Sequence, residues 1–130
     1  MNITAKGIGV DAGMIMVADM DYLKKVPSPD YKELERLGKA FDIPNGRYQI
    51  NWKIDETWNG DIEGREELEV TSGKIFVCDP CYCIGRNGED WDRWLEDTDF
   101  SRDINNEQAF VIDEMGGDGV YTIFITLENI

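Results

Sequence analysis

Two stretches of this chain, sixty positions apart, carry the same residues in the same register. Val10-Asp11-Ala12-Gly13-Met14-Ile15-Met16-Val17-Ala18-Asp19-Met20-Asp21-Tyr22 lies against Val70-Thr71-Ser72-Gly73-Lys74-Ile75-Phe76-Val77-Cys78-Asp79-Pro80-Cys81-Tyr82, with Val, Gly, Ile, Val, Asp and Tyr coinciding. Asn45-Gly46-Arg47-Tyr48-Gln49-Ile50 matches Asp118-Gly119-Val120-Tyr121-Thr122-Ile123 in the same way, at the larger offset of 73 (45 to 118). Each half then reads as a strand, an Asp-containing turn, a helical insert, a glycine turn and a second strand. The growth in offset assigns the longer insert to the second half, because loops absorb length changes that paired strands do not.

Hydropathy patterning supports strands at both ends of each half. Ile75-Phe76-Val77-Cys78 is unbroken apolar sequence, and Ile8, Val10, Met14 and Met16 interleave with Ile15 and Val17, which predicts opening strands buried on both faces. Tyr48, Ile50, Trp52 and Ile54 alternate with Arg47, Gln49, Asn51 and Lys53, the period of a half-buried strand. Tyr121, Ile123, Ile125 and Leu127 repeat that face, and the opposite residues Val120, Thr122, Phe124 and Thr126 predict a far side more buried than in the first half. Phe110-Val111-Ile112 and the residues after Gly119 read as a C-terminal hairpin around Gly116-Gly117-Asp118-Gly119. Ser28-Pro29-Asp30, followed by Tyr31, Leu34 and Leu37, predicts one short helix ending at Gly38, and Trp91, Trp94 and Leu95 mark a second between about Gly88 and Asp97. The expected fold is a single α+β domain over residues 1–130, mainly antiparallel β-sheet. Its pseudo-twofold halves, internally duplicated, span about 8–54 and 68–127, with two short helices outside.

Charge is the strongest compositional signal. The chain has 130 residues, 27 acids, 13 bases, no histidine and a net charge of −14. Residues 1–53 hold 7 acids against 8 bases and residues 54–130 hold 20 against 5, so the excess belongs to the second half. Such a surface repels phosphate backbones and anionic membranes and suits a partner with a basic face. The hydrophobic fraction of 42% is too high for a disordered chain, and no apolar run reaches the roughly 18 residues of a membrane span. Met1-Asn2-Ile3-Thr4-Ala5-Lys6 lacks the apolar core of a signal peptide, which places the protein in the cytoplasm, with Cys78, Cys81 and Cys83 as thiols.

The segments Ser72-Gly73-Lys74-Ile75…Asp79-Pro80, Pro44-Asn45-Gly46-Arg47-Tyr48 and Gly116-Gly117-Asp118-Gly119-Val120-Tyr121 resemble those of an uncharacterised bacterial and phage family, a domain of unknown function. That family carries paired Gly-x-Ile…Asp-Pro, Pro-Gly-Arg-Tyr and Gly-Asp-Gly-x-Tyr motifs. The matching blocks cover roughly a third of the chain, and the first half departs from the pattern with Met20 where the second has Pro80. The resemblance implies a bacterial or phage source and brings no activity with it.

Candidate chemistry is sparse. Without histidine there is no Ser-His-Asp or Cys-His arrangement. Cys78-Asp79-Pro80-Cys81-Tyr82-Cys83 contains a Cys-x-x-Cys, but a redox pair needs its first cysteine at a helix N-terminus and a structural zinc needs four ligands. The first half places Ala18, Asp21 and Leu23 at these positions, which favours a packing role over redox chemistry or metal binding. Asp19 and Asp79 end the two opening strands. They are either turn-forming residues, accepting from backbone N–H groups two positions on, or a carboxylate pair for a divalent cation, and their duplication favours the turns. Tyr22, Tyr48, Tyr82 and Tyr121 are expected as amphipathic rings at the sheet rim. No catalytic residue, metal site or cofactor is expected.

Two acidic tracts remain. The first holds Asp55, Glu56, Asp61, Glu63, Glu66, Glu67 and Glu69; the second holds Glu89, Asp90, Asp92, Glu96, Asp97, Asp99, Asp103 and Glu107, with Trp58, Trp91 and Trp94 interleaved. Acids spaced along a surface can imitate a phosphate backbone. The leading expectation is a non-catalytic acidic protein that binds a basic protein partner through residues 55–107, such as a phage-encoded inhibitor of a host nucleic-acid enzyme or defence system, with no direct contact to nucleic acid or membrane. The alternatives are a small-ligand or divalent-metal module built on the Asp19, Asp79 and Gly116–Gly119 turns, and a Cys-dependent redox enzyme. A solvated face with core tryptophans is the ordinary explanation of the same tracts.

Overall fold

A computed structural model describes residues 1–24, 36–83, 107–113 and 115–130, without the side chain of Glu56. Eight strands and two single-turn helices follow in order: β1 Asn2–Val10, β2 Ile15–Asp19, α1 Met20–Leu23, β3 Lys39–Asp42, β4 Gly46–Thr57, β5 Gly60–Val70, β6 Lys74–Cys78, α2 Pro80–Cys83, β7 Ala109–Ile112 and β8 Gly119–Asn129. They form two four-stranded antiparallel sheets, ordered β1-β8-β4-β5 and β3-β6-β2-β7. The fold is α+β and mostly antiparallel sheet.

Each strand order reads the same when β1, β2, β3 and β4 are exchanged with β5, β6, β7 and β8. The succession starts at Asn2 and at Gly60, earlier in both halves than the motif matches at 8 and 68 suggest. Each half holds four strands rather than two. What reads in sequence as one opening strand through Val10 and Met16 is broken at residues 11–14, where Gly13 takes φ 73° and the chain passes from the first sheet to the second.

The sheets face each other across one core. Ile50, Ile54, Ile123 and Leu127 from the first sheet pack with Ile15, Val17, Ile75 and Val77 from the second, each buried. Burying a side chain of this size contributes about 1.5–3 kcal/mol. In β1 the inward residues change parity from Ile3 and Ala5 to Ile8 and Val10. A bulge between Ala5 and Ile8, with Gly7 at φ 71°, inserts the extra residue that keeps both pairs in the core.

The second sheet is buried on its other face too. Met16, Ala18, Phe76, Cys78 and Ala109 form a smaller cluster there with Tyr22, Leu23 and Cys83. This is why β2 and β6 are apolar without alternation. Among the described residues the outer face of β8 has no such cover: Val120 is 73% and Phe124 40% exposed, so it is not the more buried face that its sequence suggests. The expected C-terminal hairpin is also absent. β7 pairs with β2 and β8 with β1 and β4, so residues 113–118 turn a corner between sheets. The tight hairpin is instead β4–β5, where Thr57 opposes Gly60 across Trp58-Asn59.

The helices expected near Ser28–Leu37 and Gly88–Asp97 fall mostly or wholly outside the described residues. α1 and α2 lie elsewhere, directly after β2 and β6. Among the described residues no helix is long and apolar enough to cross a membrane.

Candidate functional site

Asp19 and Asp79 do more than form their own turns. Asp79 Oδ1 accepts from Cys81 N at 2.8 Å, the local turn bond expected of it. Its Oδ2 accepts from Asp11 N at 2.7 Å and Ala12 N at 2.8 Å, in the β1–β2 turn of the other half. Asp19 mirrors this arrangement. Its Oδ2 accepts from Asp21 N at 3.2 Å, and its Oδ1 accepts from Ser72 N at 3.2 Å in the β5–β6 turn. Ser72 and Thr71 hydroxyls and the Gln108 side-chain amide also donate to Asp19. Each half thus holds the turn of the other. Both carboxylates are fully buried. Burial raises the Asp79 pKa, against the pull of the Ala12 and Cys81 N–H groups. Their oxygens serve backbone donors, and among the described residues no group of three or more His, Cys, Asp or Glu is placed to hold a metal ion.

The cysteines differ from their expected thiol state. Cys78 and Cys83 are joined as a disulfide, leaving Cys81 as the free, buried thiol. The bond spans the single turn of α2, so the Cys-x-x-Cys spacing of Cys78 and Cys81 is not the bonded pair. Burial, with the neighbouring Asp79 carboxylate, pushes the Cys81 thiol well above its ordinary pKa. A thiol held protonated in this way is a poor nucleophile.

Tyr22, Tyr48 and Tyr121 are buried and not at the rim. Tyr48 donates to Pro44 O at 2.6 Å and Tyr121 to Gly117 O at 3.1 Å, each four residues back, pinning the entries to β4 and β8.

The first acidic tract is divided by the pleat of β5. Register with β4 sets Glu63, Arg65, Glu67 and Glu69 on the outer face, and Gly64, Glu66 and Leu68 on the inner one. Glu66 is exposed as a residue, yet partial burial of its carboxyl raises its pKa. Asp55 is turned away toward β8. It pairs with Lys53 at 3.4 Å and lines a shallow outer cavity with Lys6, Val120 and Phe124. Asp61 lies at the exposed start of β5. Of the second tract only Glu107 falls within the described residues. Glu89, Asp90, Asp92, Glu96, Asp97 and Asp99 lie outside them, as does the side chain of Glu56.

Arg47 connects what is left of the two tracts. Its guanidinium donates to Glu67 Oε2 at 3.0 Å and to Glu107 Oε2 at 2.8 Å, while Glu69 N donates to Glu107 O at 2.8 Å. Arg47 holds the Glu107 carboxyl below its usual range. Farther along the same margin, Glu63, Glu66 and Asp113 line a cavity of about 210 Å³. Glu63, Glu66, Glu67, Glu69, Glu107 and Asp113 therefore run along one edge of the molecule, where β5 ends the first sheet and β7 ends the second, with Arg47 and Arg65 as the cations among them.

Sequence reasoning missed Arg47, Trp52, Gly64 and Asp113 as members of this margin. Trp52 and Gly64 oppose each other on β4 and β5, and the indole covers the space where a side chain at Gly64 would stand. A glycine inside an acidic strand was the available signal. The sequence suggests a hairpin loop at Gly116-Gly117, whereas these glycines lie against Asn59 and Trp58 of the β4–β5 turn.

No family model matches the chain, and no curated protein or solved structure matches it.

Proposed function

We propose that this is a non-catalytic binding protein that engages a basic protein partner along the β5/β7 margin. The observation carrying this reading is one contact: Glu67 of the first tract and Glu107, the described member of the second, share the Arg47 guanidinium, and Glu63, Glu66 and Asp113 line a cavity on the same edge. A net charge of −14 supplies a long-range field that draws cations toward it. The partner would present lysines and arginines, as a nucleic-acid enzyme does on its binding face, and inhibition by a phage-encoded protein is the biological role we attach to this chemistry.

The Asp19 and Asp79 turns are left out of the binding site because their oxygens already accept from the chain itself. We infer a cytoplasmic location, where a basic nucleic-acid enzyme would be met as partner. The Cys78–Cys83 disulfide argues the other way, and a thiol count on protein isolated under alkylating conditions decides between them. We also infer that the halves descend from one duplicated unit, on the residue register at sixty positions and the exchangeable strand orders.

The test is a calorimetric titration with a hexa-arginine peptide at rising salt. The expected result is binding that weakens about tenfold or more between low and physiological ionic strength. Absence of binding, or binding indifferent to salt, overturns the proposal.

A further inference from the structure

The β5/β7 margin contains a gap. The two strands are the edges of different sheets; Glu69 N donates to Glu107 O just before β7, and among the described residues no ladder joins the strands beyond it. Toward the start of β5 the cavity of about 210 Å³ opens between them, lined by Trp52, Glu63, Gly64, Arg65, Glu66 and by Asp113 after β7. This is below the roughly 300 Å³ at which pockets for whole small molecules begin, and nearer to one long side chain.

Three features of the lining favour the same occupant. Glu63, Glu66 and Asp113 place three carboxylates around it. Arg65, which shares the outer face with Glu63, is the cation on the lining and donates its Nε to Asn51 Oδ1 at 3.1 Å, which leaves an excess of negative charge there. Trp52 lies over Gly64, which leaves an aromatic wall where any other residue at 64 would have filled the space. The Trp52 Nε1–H is buried and meets no acceptor in the protein. A guanidinium suits such a wall: its planar group stacks on an indole and bonds carboxylates in two directions, and its stem covers apolar surface. Among the described residues β5 and β7 end their sheets, and such edges can pair with an extended segment.

We propose that this cleft is the anchor site for an arginine side chain on an extended basic segment of the partner. The guanidinium sits between Glu66 and Asp113 with its stem on Trp52. The inference rests on the proposed binding of a basic partner and adds where its anchoring residue goes.

The test uses the whole protein, hexa-arginine as probe, and the Trp52 indole resonance, assigned by its loss in Trp52→Phe. Two doubly substituted variants each remove two negative charges: Glu66→Gln/Asp113→Asn in the cleft and Asp42→Asn/Glu128→Gln away from it. Both are checked for a retained Trp52 resonance before titration. The expected result is a shift of that resonance on binding, and a loss of affinity of about tenfold in the cleft variant against less than about threefold in the control. Equal losses in both variants, with the Trp52 resonance unmoved by the peptide, overturn the anchor site and leave the charge-driven reading standing. No binding of the peptide to the unmodified protein overturns both.

Discussion

Asp79 and Ala12, 67 positions apart in the chain, are 2.8 Å apart at the carboxylate and the backbone N–H. Asp79 directly follows β6 and Ala12 lies in the turn that leaves β1, so this contact ties the second half of the chain to the first. Ser72 N and Asp19 repeat it at 3.2 Å in the opposite direction. Removing one carboxylate strands backbone donors in a buried place, where an unsatisfied group costs about 1–3 kcal/mol. Asp79→Ala leaves three such donors, at Asp11, Ala12 and Cys81. We expect a loss of about 3–5 kcal/mol in denaturant unfolding. A loss below about 1 kcal/mol would show that the turns hold without this contact.

Tyr48 and Tyr121, the buried tyrosines that donate four residues back, should behave alike. Tyr48→Phe and Tyr121→Phe each delete one hydroxyl donor and leave the ring in the core, so each should lower stability by about 0.5–1.5 kcal/mol. Equilibrium denaturation of both variants checks the size and the similarity of the effects.

Gly64 and Gly117 both lie against tryptophans and should respond differently to alanine. At Gly64 the new methyl enters the space of Trp52, a ring half-buried against the core, and we expect a cost of about 1–3 kcal/mol. At Gly117 it meets Trp58, which is 78% exposed and free to swing into solvent, so the change should stay within about 0.5 kcal/mol. Thermal unfolding of the pair is sufficient to compare them.

The strands were legible where burial is set by one sheet face. Tyr48, Ile50 and Ile54, like Tyr121, Ile123, Ile125 and Leu127, face the core as their period of two requires. The unbroken Ile75-Phe76-Val77-Cys78 was legible for the converse reason, because a second cluster covers the far face of its sheet. The far side of β8 was not. Val120 and Phe124 are apolar yet exposed, and hydropathy cannot separate a covered face from an open one. The sheet membership of β7 and β8 was equally hidden, since a glycine-rich connection looks the same whether it closes a hairpin or turns a corner between sheets. The acidic margin was half legible. Its carboxylates stand out in composition, but Arg47 reaching both Glu67 and Glu107 is a contact across 20 and 60 positions that no local pattern announces.

Glu66 gives the margin a pH dependence. Partial burial raises its folded pKa above the ordinary glutamate value of 4.5, so the folded state takes up its proton more readily than the unfolded chain. The stability this contributes is present below the unfolded pKa and is lost as pH rises through the folded one. At neutral pH the charged carboxylate is therefore a small burden on the fold. Glu66→Gln should raise the unfolding midpoint at pH 7, and the difference should disappear below about pH 4. Melting curves at the two pH values check this. A variant less stable than the parent at pH 7 would contradict it.

Arg47 tests how the margin uses its own cation. Its bonds to Glu67 and Glu107 are at the surface, where exposed ion pairs are worth about 0–1 kcal/mol. Arg47→Gln should change stability by no more than that, while freeing two carboxylates for a basic partner. Hexa-arginine should bind the variant more tightly than the parent, as read by calorimetry. Weaker binding would place Arg47 among the contacts that the partner needs.

The most direct test of the binding account is a map of amide resonances during titration with hexa-arginine. The account predicts shifts concentrated on β5 from Glu63 to Glu69, on Glu107 and on β7 through Asp113, with the α1 and β3 amides unmoved. Shifts of equal size spread over the whole surface, or centred on α1 and β3, would contradict it.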